Sequence, residues 1–173
     1  MGDDDDGFLQ ATMGSMDLVY NLARRMVPRP EDAQDLVQET YLAAYRAWVD
    51  RRRPHKVEAW LATICLNLGR SSFRHRARRP QEIPFAEISD LSGASDPERE
   101  AIEGLDRRSL VAALWLLPEE QRIAIALVDL AGFSTNDAAK IMETPRGTVL
   151  SRLHRGRKAL GALLEDQVRE RER

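Results

Sequence analysis

A chain of 173 residues holds one ordinary domain or two small ones, and 43% apolar content with only 6% aromatics and no long alternating β-branched runs predicts an all-α protein. The composition excludes several classes: no run is long and apolar enough to span a membrane, no secretory leader is recognisable, the start lacks the hydroxyl residue of a myristoylation site, and the lone Cys65 allows neither an intrachain disulfide nor a cysteine metal cluster. A cytoplasmic protein is the expectation, and its formal net charge of −2 is the sum of segments of opposite sign.

Asp3 to Asp6 read as a solvated acidic tail, because four consecutive aspartates lack the spaced ligands and turn glycine of a cation loop. A first helix is predicted from about Phe8 to Met26, with Leu9, Met13, Met16, Tyr20 and Ala23 inward. Pro28 and Pro30 stop it and start a second, from about Glu31 to Val49, whose Val37, Tyr41, Ala44 and Trp48 follow helical spacing. Asp35, Gln38, Glu39, Leu42 and Arg46 form a separate, mostly polar stripe, which wheel geometry alone reads as a solvated face. Residues 50–56, DRRRPHK, are a cationic loop. A third helix is predicted from about Val57 to Arg78. Trp60, Ile64, Leu68 and Cys65 face inward, and Asn67, Arg70, Arg74 and Arg78 lie on its other sides. Cys65 reads as a core residue rather than a redox sensor. Residues 79–97 carry Pro80, Pro84, Gly93, Pro97 and several serines, the composition of a linker. Helices resume near Glu98 and reach about Trp115. Leu117-Pro118-Glu119-Glu120 opens another, with acids where the helix dipole favours them and Ile123, Ala124, Leu127 and Val128 as its core face.

Residues 130–160 read as a helix-turn-helix. Ser134 caps a short helix, with Asp137 as an acidic variant of the capping box, and Ala138, Ile141 and Met142 give it an apolar side. The chain turns through Glu143 and Thr144, and Thr144-Pro145 reads as an N-cap followed by a proline at the first helical position. On a wheel of about 100° per residue, Val149, Leu153, Gly156 and Leu160 share one face of the second helix. Ser151, His154, Arg155 and Lys158 lie opposite, Thr148 and Arg152 beside them, and Arg146 in the first turn near a flank. No acid occurs between Thr144 and Leu160. Such a helix suits a DNA major groove, because N-terminal side chains reach base edges while Arg and Lys hold phosphates.

The charge segments agree. Residues 1–50 carry 10 acidic and 4 basic side chains, residues 51–80 carry 1 and 9, residues 81–143 carry 13 and 5, and residues 144–158 carry none and 5. Two cationic blocks alternate with acidic stretches, so a polyanion can bind both blocks while the rest of the surface repels it.

Four runs in this order and spacing, DAQDLVQETYLAAYRAW (32–48), AWLATICLNLGRSSFRHRARRP (59–80), LPEEQR (117–122) and GFSTNDAAKIMETPRGTVLSRLHRGRKAL (132–160), resemble the extracytoplasmic-function group of bacterial sigma factors, in the sigma-70 family. The resemblance covers nearly the whole chain except the acidic tail and the middle of the linker. It implies two small helical domains, residues 1–79 and 98–173, joined by a flexible linker at 80–97. The second is a helix-turn-helix of the winged-helix-like superfamily. It implies a protein that binds core RNA polymerase and directs promoter-specific initiation. Asp35, Gln38, Glu39 and Arg46 would hold the clamp helices of the largest subunit. Arg51, Arg52, Arg53 and Lys56 of the cationic loop, with Asn67, would recognise and melt the −10 element, and Arg70, Arg74, Arg76 and Arg78 would track phosphates. Capturing a flipped base costs a few kcal/mol of unstacking, which contacts to base and backbone must offset. Trp60 is a stacking candidate, but its spacing with Ile64 favours the core. Arg146, Thr148, Ser151, Arg152, His154, Arg155 and Lys158 would read the −35 element, and the second domain would touch the flap of the second-largest subunit. An anti-sigma factor is an expected partner. Two departures are visible: Asn136-Asp137-Ala138-Ala139 replaces the acid-isoleucine-alanine of many relatives, and the linker carries no readable motif.

Enzymatic patterns are missing. There is no P-loop, nucleophile elbow or zinc spacing, His55, His75 and His154 are far apart in sequence, and neither cofactor nor metal is expected. Two other readings stay open. A stand-alone helix-turn-helix regulator needs a dimer seam, and none is evident. A sigma mimic that sequesters an anti-sigma factor needs no basic blocks, and this chain has two.

Overall fold

The computed structural model describes residues 3–50, 53–76 and 109–171, and every long element among them is helical. The linker read at 80–97, the start of the helix read from Glu98, and Arg51, Arg52 and Arg78 lie outside the described residues, as do the side chains of Arg74 and Arg76.

The chain begins with a helix where a solvated tail was expected. Helix α1 spans Asp3–Thr12, a 3-10 turn follows at Met13–Ser15, and α2 spans Met16–Met26. Aspartates at a helix N-terminus meet the positive end of its dipole, which favours the helical start. Asp5 accepts a hydrogen bond from the Tyr45 hydroxyl. Phe8 then meets the edges of Tyr41, Tyr45 and Trp48 at centroid distances of 6.4, 5.3 and 5.8 Å.

The inward face also differs from the expected one. Leu9 and Met13 are 45% and 52% exposed, Met16 and Tyr20 are half-buried, and only Ala23 of the expected set is buried. The buried stripe is Phe8, Thr12, Ser15, Val19, Leu22, Ala23 and Met26. Its two hydroxyl residues disguise its helical spacing. Thr12 is inexpensive to bury because its hydroxyl donates to the Phe8 carbonyl one turn back at 2.8 Å. The Thr12 carbonyl, at the break into the 3-10 turn, accepts from Tyr41 at 3.0 Å.

Helix α3 spans Pro30–Val49 and α4 spans Val57–Arg76. Val37, Ala44 and Trp48 of α3 are buried as spacing predicts, with Ala33, Leu36 and Thr40 beside them, and Tyr41 is half-buried. On α4 the deepest strip is Leu61, Ala62, Cys65 and Leu66, while Trp60, Ile64 and Leu68 flank it half-buried. The expected face is therefore turned. Helix α4 packs on α2 and α3 and also meets a helix of the second half, so apolar residues cover much of its circumference. Gly69 sits at the closest approach, where a Cβ would overlap the Met26 methyl and stand 3.3 Å from Leu36 Cδ2. Burial pushes the Cys65 thiol up to about 12, which leaves it unreactive.

The second half begins with α5 over 109–115, then α6 at Glu119–Ile125, a π-helical turn at Ala126–Leu130, α7 at Thr135–Ile141 and α8 at Arg146–Arg171. Ile123, Ala124 and Leu127 are buried as expected. Arg122 is buried with them and holds the two halves together. Its Nε donates to the Arg25 carbonyl near the end of α2 at 2.7 Å, Nη1 donates to the Leu117 carbonyl at 3.1 Å, and the guanidinium lies 4.1 Å from the Trp115 ring centre. Buried residues of both halves join in one hydrophobic cluster.

The helix-turn-helix is built by local chemistry. The Asp137 amide donates to Ser134 Oγ at 3.1 Å, and the Ser134 hydroxyl donates to the Asp137 carboxylate at 2.8 Å. The short helix ends with Glu143 in the left-handed region at φ 51°. Glu143 N donates to the Lys140 carbonyl and Thr144 N to the Ala139 carbonyl, the paired bonds of a Schellman motif. The second helix starts one residue later than expected. The Pro145 carbonyl accepts from Thr148 and Val149, so Pro145 caps the helix and is not its first residue.

Val149, Leu153 and Gly156 are buried and Leu160 half-buried, the face the wheel predicts. A Cβ on Gly156 would stand 2.9 Å from Ile125 Cδ1 and 3.2 Å from Gln121 Cβ. Gly156→Val is therefore expected to overpack the α6–α8 contact and destabilise the protein by about 1–3 kcal/mol, read by urea unfolding. A variant of unchanged midpoint would show that the two helices can part without cost.

Candidate nucleic-acid interface

Five of the seven residues of the expected recognition surface are exposed, three of them cationic. Arg146, Ser151, His154, Arg155 and Lys158 are exposed on α8, and Thr148 is half-buried. Local bonds orient several of them. Arg146 Nε donates to Thr135 Oγ1 at 3.1 Å, Ser151 Oγ to the Thr148 carbonyl at 2.9 Å, and Arg155 Nε to the Ser151 carbonyl at 3.3 Å. Arg152 is turned toward the protein. Its side chain is 21% exposed and its Nη1 lies 2.8 Å from Glu120 Oε2. Arg157 anchors α8 to the π-helical turn through both oxygens of Asp129, at 3.0 and 2.6 Å, and Asp129 raises the guanidinium pKa.

The candidates of the first half fall into two sets. Asp35, Gln38, Glu39 and Arg46 are all exposed along one side of α3, around Leu42, which is 56% exposed. The stripe stays separate from the buried face of the same helix. Arg53 is exposed and stacks 5.0 Å from the Trp48 ring centre. Lys56, Asn67 and Arg70 do not face open solvent alone, because they meet the helix-turn-helix half. Lys56 Nζ donates to both Asp137 oxygens at 2.9 and 3.1 Å. Asn67 Nδ2 donates to Glu143 Oε1 at 3.4 Å. Arg70 Nη2 donates to the Glu120 carboxylate at 3.0 and 3.3 Å, and Nη1 to the Met142 carbonyl at 3.4 Å. Lys56 first, and then Ser134, hold the Asp137 carboxyl below the usual range. That contact is complete above ordinary carboxylate pKa values and weakens only as pH falls through the depressed one.

Glu120, Asp137 and Glu143 are the residues that sequence reasoning missed. Each was read for its local role as first-turn acid, capping residue or turn residue. The signal was present in the alternation of charge, since acids of the stretch 81–143 can pair with the basic stretch 51–80 as an external polyanion would. Among the described residues no group of three or more His, Cys, Asp and Glu is placed to hold a metal ion, and no helix is long and apolar enough to cross a membrane.

The sigma-70 region 2 family matches residues 15–79, and the sigma-70 region 4 family matches residues 107–160. The chain is 42% identical over 133 residues to the ECF RNA polymerase sigma factor EcfG of Rhodopseudomonas palustris, an alignment covering 76% of this chain and 71% of that protein. This chain belongs to the extracytoplasmic-function sigma factors of the sigma-70 family. It is also 31% identical to the RNA polymerase sigma-H factor of Pseudomonas aeruginosa, across 88% of this sigma factor and 83% of that one. The ECF sigma factor SigE of Mycolicibacterium smegmatis is 40% identical over 83% of this chain, which spans only 56% of that longer protein. Among solved structures, the sigma factor RpoE of Bartonella quintana, determined in complex with the anti-sigma factor NepR, is similar at a TM-score of 0.74 and 31% identity, covering 92% of this chain and 97% of that one. CnrH, determined with the cytosolic domain of CnrY, is similar at a TM-score of 0.67 and 27% identity, covering 94% and 90%. Region 2 of this sigma factor thus contains α2 to α4, and region 4 contains α5 to the first half of α8.

Proposed function

We propose that this sigma factor binds core RNA polymerase and directs it to promoters, with residues 98–173 reading the −35 duplex and residues 1–79 engaging the −10 element. The observation that carries the reading is α8. Its Val149, Leu153 and Gly156 face is buried, while Arg146, Ser151, His154, Arg155 and Lys158 stand exposed on an acid-free first half. Such a helix offers base-edge donors at its start and phosphate contacts along its sides. The stripe Asp35, Gln38, Glu39 and Arg46 is the surface for the clamp helices of the largest subunit, and region 4 meets the flap of the second-largest. The basic surface of region 2, from Arg53 and Lys56 to Asn67 and Arg70, receives the opened −10 strand. RNA synthesis itself belongs to the polymerase, the sigma factor needs no cofactor, and its place of work is the cytoplasm. An anti-sigma factor, as found with the similar RpoE, completes the list of partners and would cover surfaces that also meet polymerase.

The test is co-elution of the purified protein with core polymerase on a sizing column, followed by transcription from a library of genomic fragments. Co-elution with new, discrete start sites is expected and delivers the promoter sequence. Failure to bind polymerase would overturn the reading. On a promoter so mapped, Arg155→Ala is expected to cost about 1–3 kcal/mol of affinity. Unchanged affinity in that variant would remove α8 as the −35 reader.

A further inference from the structure

Two residues at the start of the recognition helix do nothing for the fold. Gly147 takes ordinary helical backbone, Gly132 being the glycine of positive φ among the described residues. A Cβ built on Gly147 meets no atom within 4 Å. Neither backbone conformation nor packing therefore asks for glycine there, and glycine weakens a helix relative to alanine. Leu150, one turn on, is 42% exposed and stands outside the hydrophobic cluster. Among the exposed residues from 146 to 158, every other side chain carries a charge or a hydrogen-bonding group.

Residues four apart share a column on a helix surface. Arg146, Leu150 and His154 form one column, and Gly147, Ser151 and Arg155 form the next. The two positions of this surface that cannot hydrogen-bond through a side chain thus lie side by side, in the turns that reach base edges. A major groove is about 12 Å wide, and a helix with its side chains is about 10–12 Å across, so the fit is tight. A position without a Cβ lets the helix come hard against the groove. The leucine beside it then meets whatever apolar surface the groove offers. Thymine alone supplies one, its C5 methyl group. The other base edges present donors and acceptors, which leucine would strip of water and leave unpaired.

We propose that Leu150 selects a thymine in the −35 element by packing on its C5 methyl, and that Gly147 lets the helix approach closely enough to make that contact. The proposal rests on the reading of α8 as the −35 helix. It adds an apolar determinant of sequence to a surface whose other members are hydrogen-bond donors and cations.

The experiment uses holoenzyme assembled from core polymerase and the full chain. Its probe is a synthetic duplex of a promoter mapped by transcription from the genomic library. The thymines of the −35 element, on both strands, are replaced one at a time by deoxyuridine, which differs only in lacking the methyl. Competition binding is expected to show one position where the unmodified protein loses about fourfold in affinity, the scale of burying one methyl group. Leu150→Ala is expected to bind the thymine duplex more weakly and the deoxyuridine duplex equally weakly, which closes a double-mutant cycle on that contact. A protein indifferent to every deoxyuridine would overturn the proposal, as would a penalty that survives in Leu150→Ala. Gly147→Ala is expected to melt no lower than the unmodified protein yet bind the promoter about tenfold more weakly, because the added methyl holds the helix off the groove. Unchanged affinity there would overturn the close approach. Arg155→Ala separates this contact from the reading beneath it. Weaker binding by that variant, with the deoxyuridine penalty intact, supports both. Full-strength binding by it would remove α8 as the −35 reader, and the role of Leu150 with it.

Discussion

Reversing the charge of Asp35 and Glu39 together is expected to weaken binding to core polymerase by roughly a hundredfold or more, the scale of losing charge pairs from a docked interface. The two acids lie one turn apart on α3, and both are exposed. The buried face of the helix, from Ala33 through Val37 and Ala44 to Trp48, is untouched by the change. Surface substitutions of this kind usually shift stability by no more than about 0.5 kcal/mol, so the variant keeps its fold and its melting temperature. The measurement is a binding titration against core polymerase, with circular dichroism as the control. The loss should also depend on salt, because rim charges set the approach of two surfaces as much as their grip. Full-strength binding by a well-folded Asp35→Lys, Glu39→Lys protein would show that the polar stripe is an ordinary wetted helix face.

Phe8→Ala is the largest expected change in stability. Phe8 is 5% exposed and is the hub of an aromatic group in which Tyr41, Tyr45 and Trp48 all meet it edge to face. Truncating a buried phenylalanine costs about 3–5 kcal/mol, from lost transfer energy and the cavity left behind. In a chain of this size that corresponds to a fall in melting temperature of roughly 10 °C. The residue lies outside the region 2 match, which begins at residue 15. The result would therefore show that α1 is an integral part of the first domain. A variant that melts with the wild type would mean that α1 does not dock on α3 in solution.

The parts of this fold that were legible in the sequence are those fixed within one or two helical turns. Ser134 with Asp137 announced a cap, and Val149, Leu153 and Gly156 announced a buried face, because hydrogen bonding and helical spacing act locally. The polar stripe on α3 was legible for the same reason. Two faces were misread for opposite causes. Thr12 and Ser15 hide a buried stripe behind hydroxyls, and α4 carries too many apolar residues for spacing to choose among them. The contacts of Lys56, Asn67 and Arg70 join residues 50 to 81 positions apart. Nothing in a local pattern encodes such a pairing, and only the balance of charge between distant segments hinted at it.

The buried Cys65 has a practical consequence. Its thiol is the only one in the chain, it is wholly enclosed, and burial holds its pKa near the top of the thiol range. Maleimide dyes need an accessible thiolate, so the native chain is already blank to them. A cysteine placed on the surface of each half can be labelled as it stands, without first removing Cys65 from the core. The distance between the two halves of a single molecule can then be followed as polymerase arrives.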